Sequence, residues 1–224
     1  MKKFLACCLA VIMLFTVNVT AFAAPGSFVQ SPSRNDGPTL VEGENENSDC
    51  EADLVVTPYK ERKELPEKAL KDMEEAYKII ANCKDLTTLN SAFASFVTGK
   101  GLRATNLAVS DLFDVSYYNC DTHDGHGYFR IKLGADTLNR FVGLLHYKDG
   151  KWDFVDNARV LPDGETLEFS IKDLSPFAIV VEKEAGTVVS PGTGDVDFTL
   201  PIIMWICSAA LIVVCISIKK KKTV

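Results

Sequence analysis

The stretch CDTHDGHG brings together Cys120, Asp121, His123, Asp124 and His126, donor types that can hold a divalent cation through thiolate, carboxylate and imidazole. The run lacks the D-x-D-x-D-G series and closing Glu of a calcium loop, and the chain contains no C-x-x-C, so it reads as a polar hairpin turn and no metal is expected. Asp111, Asp114 and His146 are acid–base types, yet no G-x-S-x-G, H-E-x-x-H or Gly-rich phosphate loop accompanies them. Scattered acids at strand ends are ordinarily solvated, so no catalytic residue, no cofactor and no enzymatic activity are expected. Lys132 and Asn157 are side chains that can condense into an isopeptide crosslink, and they are the pair to check for one.

The run with a more specific order lies near the end: Ser190, Pro191, Gly192, Thr193 and Gly194, then Asp195, then residues 198–218 without a charge, then four lysines at 219–222. As a helix, those 21 uncharged residues reach about 31 Å, enough to cross a hydrocarbon core. The lysines hold their end in the cytoplasm, which leaves the preceding chain outside. This arrangement resembles the cell-wall sorting signal of Gram-positive bacteria, in which a sortase reads L-P-x-T-G at the outer membrane face. Ser190 stands where that motif has leucine, and the variant is similar to the S-P-x-T-G form read by certain clostridial sortases.

The resemblance implies a chemistry. The sortase's cysteine attacks the Thr193 carbonyl, the Thr193–Gly194 bond breaks, and the membrane tail leaves while Thr193 is held as a thioester. An amine of a peptidoglycan precursor then resolves it. Pro191 bends the extended substrate, and Gly194, lacking a Cβ, leaves the scissile bond open to close approach. The competing expectation is a single-span ectodomain that keeps its helix, with SPGTGD as a plain juxtamembrane loop, and that binds a ligand or partner protein.

The other end fits the same topology. Residues 1–23 begin with Lys2 and Lys3, continue through FLACCLAVIMLF and finish on Ala21, Phe22, Ala23, the order of a secretory signal peptide cleaved after Ala23. Residues 24–193 hold 18 basic and 28 acidic side chains, a net of −10 against −6 for the whole chain. That field argues against nucleic acid and anionic lipid as partners. The expected location is the extracellular face, in the wall or at the membrane.

Of seven cysteines, Cys7 and Cys8 belong to the signal segment and Cys207 and Cys215 to the apolar tail, leaving Cys50, Cys83 and Cys120 outside. Three thiols allow three single pairings. Cys83 with Cys120 is the preferred one, because Cys50 falls in a linker; three reduced cysteines are the alternative.

The elements that position these residues are legible from periodicity. Residues 24–52, rich in Pro, Ser, Gly, Asn and Glu, read as a flexible acidic linker, with order starting near Leu54. Leu70, Met73, Tyr77 and Ile80 recur at helical spacing behind Pro66, and Leu89, Phe93, Phe96 and Val97 mark a second, shorter helix with Asp85 as its N-cap type, so 53–106 reads as a helical segment. From Leu107 the period falls to two: Phe129, Ile131 and Leu133 alternate with polar residues, as do Leu167, Phe169 and Ile171. RFVGLLHY reads as a buried strand, Asp149-Gly150 as a tight hairpin before KWDFV, and PDGE as a turn before TLEFSI.

Residues 107–183 thus form five or six strands. Both LHYKDGKWDFV and LEFSIKDLSPFAIVVE look like the small β modules that precede sorting signals in many gut clostridial surface proteins, which implies a stalk-like, adhesive or structural part. The expected class is α+β, mainly β: a small antiparallel β-sandwich preceded by one or two amphipathic helices, then a linker at 184–197, the membrane helix at 198–218 and a basic tail at 219–224.

Overall fold

The computed structural model describes residues 27–45, 53–118 and 127–183. The signal segment, the linker at 184–197 with its SPGTG motif, the apolar run at 198–218 and the basic tail lie outside the described residues.

The domain is mainly β, with two antiparallel sheets. Nine strands are described: β1 Thr39–Asn45, β2 Asp53–Pro58, β3 Leu107–Tyr118, β4 Phe129–Gly134, β5 Phe141–Lys148, β6 Lys151–Val155, β7 Arg159–Val160, β8 Thr166–Ile171 and β9 Pro176–Glu182. One sheet has the order β1-β4-β8-β7, the other β2-β3-β9-β5-β6. Helix α1 spans Glu67–Asn82 and α2 spans Ser91–Gly99.

Alternation along the strands builds two cores. On β9, Phe177, Ile179 and Val181 join Phe113, Val115 and Leu144 of their own sheet and Phe129, Ile131, Leu133, Leu167 and Phe169 of the other, forming the core between sheets. Ala178 and Val180 face the opposite way, with Leu145, Tyr147 and Trp152, onto Met73, Ala76, Ile80, Phe93 and Val97 of the helices. The central strands β3, β5 and β9 are therefore buried on both faces and read as continuous apolar runs, whereas β4 and β8 keep one polar face and alternate. The helices cover the outer face of the larger sheet.

Two local features fix this seating. Gly143 lies where a Cβ would come within 3.0 Å of both Phe93 and Phe154, so its missing side chain lets α2 settle on β5. The β5–β6 hairpin turns through Asp149 and Gly150 with φ of 50° and 80°, the two positive values that a tight two-residue turn requires.

The lead overturns the expectation of a flexible linker over 27–45. Phe28 is 1% exposed and forms a parallel bridge with Val109, its neighbours sealed by Val109 N–H to the Ser27 carbonyl at 2.6 Å and Val29 N–H to the Val109 carbonyl at 2.9 Å. Its ring stacks on Tyr77, which stacks on Tyr59, with the Arg62 guanidinium 4.2 Å above the Tyr59 ring. Further on, β1 pairs with β4 from Thr39 to Asn45. Composition counts few apolar residues here; one aromatic side chain in a prepared slot, plus a backbone ladder interrupted by a register shift between Leu40 and Glu42, offsets the ordering entropy that composition alone charges to the segment.

Three smaller expectations are also corrected. The segment 53–106 opens with a strand, β2, paired with β3 from Asp53 to Pro58, so both sheets draw a strand from outside 107–183. Asp85 caps a short 3-10 turn, Leu86–Leu89, by accepting from Thr87 N–H at 2.9 Å. The α2 cap is Asn90, whose side-chain oxygen accepts from Ala92 N–H and Phe93 N–H.

Candidate functional site

His146 on β5 is the residue around which an acid–base site could form, and it has a hydroxyl partner: Ser175 Oγ lies 2.6 Å from its Nε2. Ser175 stands just before β9, brought beside β5 because β9 and β5 are hydrogen-bonded neighbours. The Ser175 hydroxyl also donates to the Tyr147 carbonyl. A serine has one proton to give, so the His146 contact is an Nε2–H donated to the Ser175 oxygen. A serine nucleophile needs the reverse, with the ring nitrogen accepting the hydroxyl proton.

His146 is 4% exposed, its ring stacked on Phe177 at a centroid distance of 4.6 Å. Burial pushes the imidazole down to about 4, against the opposing pull of Asp153 and Asp173. It is neutral at physiological pH. The pair locks the start of β9 onto β5.

Asp111 belongs to a separate structural knot. Asn35 of the lead donates one amide nitrogen to Asp111 Oδ1 at 2.8 Å and to the Ser110 carbonyl at 2.7 Å. Ser110 Oγ donates to Asp111 Oδ2 at 2.6 Å and Thr137 Oγ1 to the same oxygen at 3.2 Å. Burial raises the Asp111 carboxyl, while the hydrogen bonds from Ser110, Asn35 and Thr137 act against it. The lead, β3 and the β4–β5 connection thus meet on one carboxylate.

Asp114 is the group with the least support. It is 1% exposed, and its Oδ2 meets no hydrogen-bond partner among the described residues. Burial raises its carboxyl to about 6; Ser116 opposes the shift, and on α1 Asp72 adds to it while Lys68 reduces it.

The structure does not bring Asp111, Asp114 and His146 together. Asp114 has α1 residues as its charged neighbours, His146 stacks on Phe177 in the core between sheets, and Asp111 is enclosed by its own hydrogen bonds. Ser175 was not singled out by the sequence, where SPFAIVV reads only as the approach to a strand. Its place next to His146 depends on sheet order, which no local pattern encodes.

Lys132 and Asn157 are engaged apart from each other. Lys132 Nζ pairs with Glu42 across β1 and β4. Asn157 exchanges two hydrogen bonds with the Ser170 backbone on β8, at 2.8 Å and 3.2 Å.

Cys83, next to the end of α1, carries a free thiol whose Sγ donates to the Asp85 carbonyl at 3.0 Å. Its own carbonyl accepts from Ser27 Oγ, and Ser27 is bonded to Val109 near the start of β3. Cys120, Asp121, His123, Asp124 and His126 lie outside the described residues, as do Ser190, Pro191, Gly192, Thr193 and Gly194. Among the described residues no group of three His, Cys, Asp or Glu side chains is gathered for a metal.

Comparison of the chain with protein-family models, with curated proteins and with solved structures finds no match.

Proposed function

We propose that this chain is an exported surface protein, cut by a sortase between Thr193 and Gly194 and joined through Thr193 to a peptidoglycan precursor, with the β domain displayed in an adhesive, stalk-like or structural role. The observation that carries this reading is an order: S-P-G-T-G, an acidic step, 21 uncharged residues and four lysines, opposite a basic-start signal segment ending in Ala21, Phe22, Ala23. The small β domain that a tail of this kind would carry outward is the sort of body the reading asks for. In the full reading it is a sandwich flanked by a signal peptide and a membrane helix.

The end of the described domain fits it. The Lys183 N–H is held by the Asn106 carbonyl at 2.7 Å, and Arg140 donates to the Glu182 carbonyl at 3.3 Å, so the last strand is tied down on leaving the sheet. Thr193, the proposed joining point, lies ten residues beyond Lys183, a reach of at most about 36 Å for a fully extended chain.

Replacing Thr193 by Ala in a Gram-positive host that carries an S-P-x-T-G-reading sortase tests the reading. The wild-type chain should be recovered with the wall and released by a wall hydrolase, and the variant should stay with the membrane. The same uncharged run and lysines would by themselves hold a single-span ectodomain, the second reading; recovery of both chains with the membrane favours it.

A further inference from the structure

We propose that the start of α1 is a pH-operated flap: protonated Asp114 keeps residues 67–72 closed on the larger sheet, and ionised Asp114 favours a minor open form, hinged near Met73, in which water reaches the carboxylate. On β3, Phe113 and Val115 enter the core between sheets, and Leu112 turns to the helices. Asp114, between Phe113 and Val115, therefore faces the helices by alternation. It is 1% exposed, and its Oδ2 meets no partner among the described residues. A neutral carboxyl is tolerable in such a place, whereas a carboxylate with one oxygen unmatched is costly.

The cover over this carboxyl is the lightly held end of the helix. Its N-cap is Pro66, which offers no side-chain hydrogen bond to the free N–H groups of the first turn. Glu67 and Lys68 are exposed, and Ala69 and Leu70 only half-buried. Full burial starts at Met73 and continues at Ala76 and Ile80. Just past Met73, the Tyr147 hydroxyl of β5 donates to Glu75 Oε2 at 3.3 Å. The helix is thus fastened from Met73 onward and loosely seated before it, and loosely seated segments are the ones that open without global unfolding.

The groups around Asp114 leave its charge unmatched while the flap is shut. From α1, Lys68 lowers the carboxyl and Asp72 raises it, but Lys68 Nζ is taken by Asp72 Oδ2 at 2.8 Å. On β3 itself, Ser116 supplies one hydrogen bond. The cross-strand partners, Thr57 on β2 and Pro176 on β9, carry no charge. Tyr147 of β5 is spent on Glu75, and Asp149 of the β5–β6 turn acts on Lys68. Lifting residues 67–72 lets water, and the long Lys68 side chain, meet the carboxylate.

The sign follows from burial. The closed form binds the Asp114 proton more tightly than the open one, its carboxyl raised to about 6. The advantage of the closed form is therefore fully present below the ordinary value of 3.8 and is lost as pH rises through about 6. His146 stacks on Phe177 in the core between sheets, so its titration does not enter the opening of α1. Closed is the acid form of the domain, and the device works whether or not the chain is sorted to a wall.

The test is amide hydrogen exchange of the full chain in detergent, read by nitrogen-edited NMR, with each rate divided by the intrinsic rate of that amide at the same pH. The reporters are Leu70, Lys71 and Asp72, whose N–H groups close the first turns of α1; that of Leu70 reaches the Pro66 carbonyl at 2.9 Å. Ile80, fully buried near the other end, is the reference. Opening at the three reporters relative to Ile80 should grow about ten-fold or more between about pH 4 and pH 6, and level off where the Asp114 carboxyl carbon titrates. In Asp114→Asn the ratio should stay flat. A flat ratio in the wild-type chain, a rise that does not level off with the Asp114 titration, or the same rise in Asp114→Asn would overturn the proposal. The carbon titration is read on the wild-type chain, so the test stands even where the variant folds poorly.

Discussion

Asp114 and His146 lie on two strands of one sheet, β3 and β5, separated by β9, and burial displaces them in opposite senses: the carboxyl up to about 6, the imidazole down to about 4. Asp114 is protonated more readily folded than unfolded, so its contribution is fully present below the ordinary value of 3.8 and is lost as pH rises through about 6. His146 works the other way: its contribution is present above 6.5 and is lost as pH falls through about 4. Each amounts to on the order of 3 kcal/mol over nearly the same window. Stability of the wild-type domain should therefore change little between about pH 6.5 and pH 4.5. Asp114→Asn should leave a domain that weakens as pH falls, and His146→Gln one that strengthens. Urea titrations of the three chains at several pH values check the slopes; parallel slopes would contradict the assignment.

Phe28 ties the lead to the body. Truncation to Ala empties a slot against Tyr77 and Val109 and should cost about 3–5 kcal/mol, the range for a fully buried Phe. Amide exchange should show loss of protection around Val109 together with α1. An effect below about 1 kcal/mol would return the lead to the status of a loose linker.

Asn35→Ala removes two donors from the Asp111 knot and should destabilise by about 1–3 kcal/mol, because a buried carboxylate then loses a hydrogen bond it cannot replace with water. Asn35→Asp should be worse, since it sets a second carboxylate beside the first. Thermal melts of the two variants give the order.

Cys83 should react with a maleimide without prior reduction once the domain is opened by denaturant, and slowly before, since the thiol is partly buried. Mapping the label to Cys83 under non-reducing conditions confirms the free thiol. A disulfide-linked peptide containing Cys83 would contradict it.

Much of this fold was legible because its outer strands keep one wet face. Phe129, Ile131 and Leu133 alternate as the sequence suggests, and all three enter the core between sheets. Met73 and Ile80, from the helical stripe, are fully buried, and Asp149-Gly150 turns as its residue types demand. Phe28 was missed because its value depends on a distant slot formed by Val109 and Tyr77, which local composition does not register. The same holds for the candidate sites: Ser175 reaches His146, and Asn35 reaches Asp111, only through strand order and long-range closure. Helices on the outer face of a sheet were equally unreadable, since an amphipathic stripe says that a face is buried and not against what.

The most direct measurement of the central claim is the mass of the C-terminal peptide of the mature chain, released from purified walls by a glycan-cleaving enzyme. The account predicts a peptide ending at Thr193 whose carbonyl carries a wall-peptide amine, with Gly194 and everything after it gone. Recovery of the surface pool with residues 194–224 still attached, in cells whose sortase accepts a serine in the first motif position, would contradict it.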